Sequence, residues 1–332
     1  MASAPNELLT DLLREVSRSF YLTLRVLPKS VRPQIGLAYL LARTTDTIAD
    51  TEIVPLELRL KSLQSLRERI LGTSAAALSF GELARQQKLS AERILLERCE
   101  DSLALLQTLS AADRRLVREV IEVIASGQEL DLRRFAGSSL DKIIALQTAD
   151  ELDDYTYRVA GCVGEFWTKM CRAQVFPSAQ IEDAKFLADG VRFGKGLQLV
   201  NILRDLPADL KNGRCYLPLE DLKQLGLTPA DLQNPANENR LRPLFDRWLD
   251  RAEAHLRAGW DYTNTVPWSC VRVRLACAWP VLIGLQTLGR LRSANVLDAT
   301  QRIKISRAAV RGVMFRSVIF YPLRGRWKRL AS

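Results

Sequence analysis

The sequence predicts an all-α fold: a single domain of roughly ten or more helices. Three observations carry that prediction. Leu, Ala and Arg, all good helix formers, dominate the 332 residues, while glycine and proline are sparse. Apolar residues recur at helical spacing along most of the chain. No alternation of period two is long enough for a sheet, and no repeat or linker divides the chain. The length allows a sizeable core, and the hydrophobic fraction of 47% with 26% charged residues is that of a soluble globular protein.

The elements follow in order. Residues 7–27, "ELLTDLLREVSRSFYLTLRVL", have the apolar spacing of one helix. Pro28 and Pro33 bracket a turn, and a second helix runs from about 33 to 50, with a break at 52–55. Amphipathic periods predict helices over 56–72 and about 90–109, joined by a Ser/Ala/Gly-rich connection near 73–82. Residues 111–134 form another, 139–148 look helical, and a long helix follows from about 151 to 174. The stretch 179–209 is helical with glycine interruptions. "KNGRCYLP" at 211–218 is a loop, since Asn-Gly turns the chain and Pro218 stops continuation. A short helix at 221–225 and a polar loop near 234–240 lead to helices over 241–264, 267–294 and 299–320. The closing "VMFRSVIFYPL" is apolar but far short of the ~20 residues that span a bilayer.

Composition excludes several classes of chemistry. The six cysteines contain no Cys-x-x-Cys pair and have one histidine to assist them, which disfavours structural zinc. They are expected as reduced, buried thiols of a cytoplasmic protein, and "MASAPNELLTDLL" lacks the pattern of a secretory signal. The single histidine, His255, lies in the charged amphipathic stretch "DRAEAHLRAGW" and reads as a surface or boundary residue, so histidine-based acid–base chemistry is discounted. The net charge is +10, and nine basic residues from Arg302 onward, with no acid after Asp298, hold nearly all of it. The nearly neutral body argues against a broad nucleic-acid groove.

Two stretches carry the chemistry. "LLARTTDTIADT" (40–51) sets Asp46 and Asp50 at i and i+4, on one helical face, with Arg43 one turn before Asp46. Like charges so placed cost an isolated helix roughly 0.2–0.5 kcal/mol. "QLVNILRDLPAD" (198–209) repeats the device with Asp205 and Asp209, preceded by Asn201 and flanked by Arg204. A lone Asp-x-x-x-Asp is usually a solvated face. Two of them in apolar surroundings ask for a shared cation. Magnesium suits, because it takes one or two carboxylates, keeps several waters and completes its shell with substrate phosphates.

At this point the chain resembles the squalene/phytoene synthases, the head-to-head prenyl synthases. "VSRSFYLTLRVLP" (16–28), "LLARTTDTIADT", "DDYTYRVAGCVGEFW" (153–167) and "GKGLQLVNILRDLPADLKNGRCYLP" (194–218) match in order and spacing over roughly residues 10–290. The "SRSF" and Tyr-x-x-x-Val-Ala-Gly-x-Val-Gly forms look closer to squalene synthases than to phytoene synthases.

The resemblance implies the isoprenoid synthase fold, with two aspartate-rich helices facing each other across a deep apolar cavity. It implies that Asp46, Asp50, Asp205 and Asp209 hold Mg2+, with Mn2+ as an alternative ion, and that Arg18, Arg43, Arg204 and Arg214 bind diphosphate. Tyr155 is expected to handle the departing proton or stabilise carbocations. Phe20 is expected to line the site near the hydride step, and Asn201 and Gln198 to lie on the helix of the second motif. Phe20 and Asn201 are assigned to NADPH, which has no Gly-x-Gly-x-x-Gly after a strand to receive it. Gln128 and Asp131 match a cavity-lining segment, and Gly161 and Gly164 are expected to allow close helix packing. One departure stands out: Pro207 and Ala208 lie inside the second motif. Proline is expected to kink or end the helix within "DLPAD", leaving Asp205 the safer ligand.

The implied reaction condenses two farnesyl diphosphates through presqualene diphosphate to squalene, with reduction by NADPH. A phytoene, dehydrosqualene or presqualene diphosphate synthase is the near alternative. A chain-elongating prenyltransferase or terpene cyclase is disfavoured because threonines flank Asp46 where elongators show Asp-Asp-x-x-Asp. A non-catalytic membrane-docking scaffold is the alternative of another class. Residues 1–298 are expected as the catalytic domain, and 299–332 as a basic amphipathic segment that meets a membrane surface, on the inner face of the cell membrane.

Overall fold

The structure, a computed structural model, describes residues 7–17, 20–301 and 303–331. Its backbone contacts divide into two compact units, residues 1–134 with 166–178 and residues 135–165 with 179–332.

The first unit is helical. A π-helical turn, Leu8–Leu12, leads into α1 (Leu13–Ser17), followed by α2 (Tyr21–Val26) and α3 (Arg32–Asp50). The described parts of the stretch 7–27 are therefore mostly helical, as its periodicity predicts, with a π-helical turn among them. Pro33 sits in the first turn of α3, where its missing N–H leaves no bond unmade. Then come α4 (Leu56–Leu71), α5 (Gly81–Arg85), α6 (Ser90–Glu97), α7 (Cys99–Thr108) and α8 (Ala111–Arg134). Periodicity misses both α5 and the break at Arg98, since apolar residues keep helical spacing across that break. Helices α3, α4 and α8 pack on one another. Asp113, buried on α8, accepts from Gln34 of α3 (3.2 Å) and from Gln174 (3.0 Å), so a buried carboxylate is satisfied from two sides.

The second unit is built on three long helices. After α9 (Ala149–Thr156) comes a π-helical turn, Tyr157–Gly161, and then α10 (Cys162–Gln174), whose residues from 166 onward belong to the first unit. Next are α11 (Asp183–Lys211), the short α12 (Leu219–Gln224), two 3-10 turns at Pro229–Gln233 and Pro235–Asn237, α13 (Glu238–Thr265) and α14 (Val271–Ser293). The chain continues through α15 (Arg307–Phe320) and α16 (Arg324–Lys328). Helices α11, α13 and α14 pack against one another around Leu203, Phe245, Leu249, Leu256 and Leu288, all at 1% exposure or less. Helix α14 is long and apolar enough to cross a membrane, but 67% of its most apolar 18-residue window is buried in the protein, as befits a core helix.

Three expectations are corrected. Residues 139–148 are not helical. They carry β1 (Ile144–Ala145), which pairs in parallel with β2 (Arg214–Cys215) inside the predicted loop. Ile144 N–H donates to Gly213 O (2.9 Å) and Leu146 N–H to Cys215 O (3.0 Å), and Leu146 is fully buried, so a partner far away in sequence overrides the local pattern. The last long helix begins at Arg307, not 299, where the Ser306 hydroxyl accepts from Ala309 N–H (3.1 Å). Pro207 does not end its helix, because α11 runs on to Lys211. An interior proline costs about 3 kcal/mol. Leu206 and Leu210 beside it are both buried to 2% exposure, and burial of each contributes about 1.5–3 kcal/mol, enough to hold the turn.

The small-residue expectation is met by backbone contact at Gly164, whereas a Cβ on Gly161 would meet the side chains of Tyr157, Lys195 and Val191 at 3.0, 3.2 and 3.3 Å. A Cβ on Gly164 would lie 1.9 Å from Gly190 O of α11, and one on Gly194 2.1 Å from Ala160 O. Gly164→Ala is expected to destabilise the protein by at least roughly 1–3 kcal/mol through overpacking, read as a lower melting temperature. Gly289→Ala, with nothing within 4 Å of its Cβ position, is the control and is expected to be neutral or stabilising.

Candidate active site

In the first unit, the pair Asp46 and Asp50 lies on the last turns of α3. Leu37, Leu40, Leu41 and Ile48 on the same helix are fully buried, which fixes the helix in place. The threonines around the acids are buried and satisfied. Thr44 donates to Leu40 O (2.9 Å), Thr47 to Arg43 O (2.8 Å) and Thr51 to Thr47 O (2.6 Å). Arg59 caps the far end by donating to Ala49 O at 2.8 Å.

Asp46 is the focus of this face. Gln128 of α8 donates to its Oδ1, and Arg43 stands 3.8 Å from its Oδ2. Arg43 is itself held by Glu92 of α6 at 2.5 Å. Burial of its surroundings, and then the charge of Asp50, push the Asp46 carboxyl up to about 7 against the pull of Arg43 and Gln128. The side chain keeps 46% exposure, so it sits in a recess open to water, not in a sealed core. Gln128 is buried, and its Oε1 has no partner. The two carboxylates, Asp46 partly buried and Asp50 exposed, are a pair of oxygen donors open to water. Among the described residues no three His, Cys, Asp or Glu side chains gather as a closed metal site. An open set of this kind fits magnesium, which leaves much of its shell to water and phosphate. Phe20 packs beside the same helix, stacked on Tyr39 at 5.3 Å. Arg18 lies outside the described residues. Asp131 is one turn along α8 from Gln128.

In the second unit, Gln198, Asn201, Asp205 and Asp209 form one stripe of α11 at i, i+3, i+7 and i+11. Leu199, Leu203, Leu206 and Leu210 bury the other side. Asn201 is exposed, while Gln198, Asp205 and Asp209 are partly buried. Arg204 grips Asp205 with two nitrogens, Nε at 2.9 Å from Oδ1 and Nη2 on Oδ2. Tyr155, on α9, is buried, and its ring stacks on Tyr216 at 4.8 Å with the two hydroxyls 3.3 Å apart. Phe135 meets Tyr216 edge-on at 5.3 Å, and the Arg214 guanidinium lies 5.9 Å from the centre of the Phe135 ring. Pairing of β2 with β1 places Arg214 and Tyr216 there. The preceding turn needs Gly213, whose φ is +72° and whose Cβ would fall 2.4 Å from Ser139 N. His255 is partly buried on α13. Burial and the cations Arg192, Arg251 and Lys195 push it down to about 4, so it is neutral at pH 7.

The sequence motifs single out Gln128 and Tyr155 as candidates but not their neighbourhood: Tyr216 and Phe135 beside Tyr155, and Glu92 on Arg43, come from the structure. Tyr216 stands in the quoted "GRCYLP", so its position was visible. Its contact with Tyr155 depends on the β1–β2 pairing.

The Asp46 shift has a thermodynamic sign. The folded metal-free chain holds this proton more tightly than the unfolded chain, whose carboxyl titrates near 3.8, so stability falls as pH rises from there through about 7. Asp46→Asn removes that slope. At pH 8 the metal-free variant is expected to melt about 1–3 °C above the parent, and at pH 4 close to it. Thermal denaturation in chelator at both pH values measures this.

Comparison with known proteins places the chain. The squalene/phytoene synthase family matches residues 13–309. The chain is 30% identical over 254 residues to the 15-cis-phytoene synthase of Synechocystis sp., a match covering 74% of this chain and 65%, just under two thirds, of that protein. It is 31% identical over 253 residues to the presqualene diphosphate synthase of Rhodopseudomonas palustris, covering 75% of each. The solved squalene synthase HpnC from Alicyclobacillus acidocaldarius superposes with a TM-score of 0.63 at 20% identity, over 88% of this chain and 94% of that one. That likeness establishes the helical isoprenoid synthase fold. With its motifs in order inside the matched span, the chain belongs to the squalene/phytoene synthase family.

Proposed function

We propose that this protein is a prenyltransferase of the head-to-head type. It condenses two farnesyl diphosphates to presqualene diphosphate and reduces that intermediate with NADPH to squalene. The observation that carries the reading is the pair of Asp-x-x-x-Asp helices, each with an arginine against its acid, in a chain of this family. Asp46, Asp50, Asp205 and Asp209 would hold magnesium, which withdraws charge from a departing diphosphate. Arg18, Arg43, Arg204 and Arg214 would clamp the phosphate oxygens, a task that suits the planar guanidinium fork. Tyr155 would take up or shield the proton lost on closure of the cyclopropane. Its hydroxyl has Tyr216 as a hydrogen-bonding neighbour, and the stacked rings offer π faces to a carbocation. Apolar surroundings keep water from such a cation. Phe20, stacked on Tyr39, offers the kind of aromatic surface on which a nicotinamide ring packs.

The second reading stops at presqualene diphosphate, as the Rhodopseudomonas relative's name describes for that protein. The "SRSF" form bears on squalene against phytoene synthases, not on this second reading. The dependence of the product on reductant separates the two.

The test is product analysis by mass spectrometry after incubation with farnesyl diphosphate and magnesium, with and without NADPH. Squalene formed only with NADPH is the expected result. Presqualene diphosphate under both conditions would establish the second reading. Asp46→Asn and Asp205→Asn are each expected to slow turnover by at least about 100-fold, the scale of a lost transition-state electrostatic contact. A scaffold would tolerate both.

A further inference from the structure

The C-terminal segment presents a surface that the proposed reaction does not use. Helix α15 turns Val313 and Ser317 into the second unit, where Ser317 Oγ accepts from Trp279 Nε1 at 2.9 Å. Its opposite side carries Phe315, Val318 and Ile319 at 67%, 52% and 47% exposure, and Leu323 follows at 46%. These four are among nine large apolar side chains exposed in the described residues, so they form a cluster instead of a scatter. Helical spacing sets Arg311 on the same side, with Arg307 and Arg316 at its margins. Arg324, Arg326 and Lys328 follow, all exposed, and the sequence has no acid after Asp298.

This surface is held in place, not loosely tethered. Trp327 is fully buried, stacks on Trp260 at 5.3 Å and donates from Nε1 to Asn264 Oδ1 at 2.8 Å. The buried Arg274 lies 4.6 Å from the Trp268 ring centre and 5.3 Å from that of Trp327. The tail is thereby closed onto the unit, with the apolar and basic side of α15 left outward.

We infer that this face docks on an anionic lipid surface. Phe315, Val318, Ile319 and Leu323 enter the acyl boundary, and the surrounding arginines meet headgroup phosphates. A second copy is a poorer occupant, because a symmetric contact through this face sets arginines against arginines. The inference stands independently of which product the enzyme makes.

Flotation of the full chain with vesicles tests it. The protein is expected to bind vesicles of phosphatidylcholine with one third phosphatidylglycerol at least about tenfold more tightly than phosphatidylcholine alone, and less tightly as salt rises. Phe315→Ser with Val318→Ser and Ile319→Ser is expected to weaken that binding at least about tenfold. Should this triple variant fail to fold, Arg311→Gln with Arg316→Gln serves instead, with a several-fold loss expected. No binding by the parent chain, or equal binding by a folded variant, would overturn the inference. A parent dimer that the triple variant converts to monomer would overturn it too, by assigning the face to a second copy.

Discussion

A helix that buries one side completely can hold two like charges on the other only if something fixes its position and something else answers the charge. In α3 the first requirement is met by Leu37, Leu40, Leu41 and Ile48, none of them exposed. The second is met in part by Arg43 and Gln128, yet Asp46 still holds its proton far above the usual carboxylate range. The recess therefore retains an unmet demand for positive charge. In the proposed function a divalent ion would supply it without adding bulk, and the rigidity of the buried side would hold its ligands in place.

The second unit solves a different problem. Its polar stripe of Gln198, Asn201, Asp205 and Asp209 runs along a helix that must also pack closely on the π-helical turn and the start of α10. Glycines remove the side chains that would keep the backbones apart at Gly164 with Gly190 and at Gly194. The π turn begins two residues after Tyr155, and such turns are frequent at functional sites. Close packing on one side of α11 and the aromatic group of Tyr155, Tyr216 and Phe135 in the same unit are both products of local geometry that no single residue carries.

The C-terminal segment shows how composition and placement differ as information. Its basic charge is plain in the sequence. Whether those cations belong to a free tail or to a formed surface depends on Trp327 and Arg274, whose roles come from burial and ring contacts alone.

The chain by itself determined the helical class, the helices at 33–50, 56–72 and 111–134 within one residue, and the two acid pairs with their flanking arginines. Those features depend on spacing along one helix, which the sequence records directly. Tertiary structure decided the rest. Residues 139–148 carry the strand Ile144–Ala145 instead of a helix because a partner lies at residues 214–215, and α11 passes through Pro207 because the burial of its leucines outweighs the proline. Gln128 meets Asp46, and Tyr155 meets Tyr216, across separations of 82 and 61 residues. Contacts of that range arise from how helices pack, and packing is a property of the assembled chain that no local window contains.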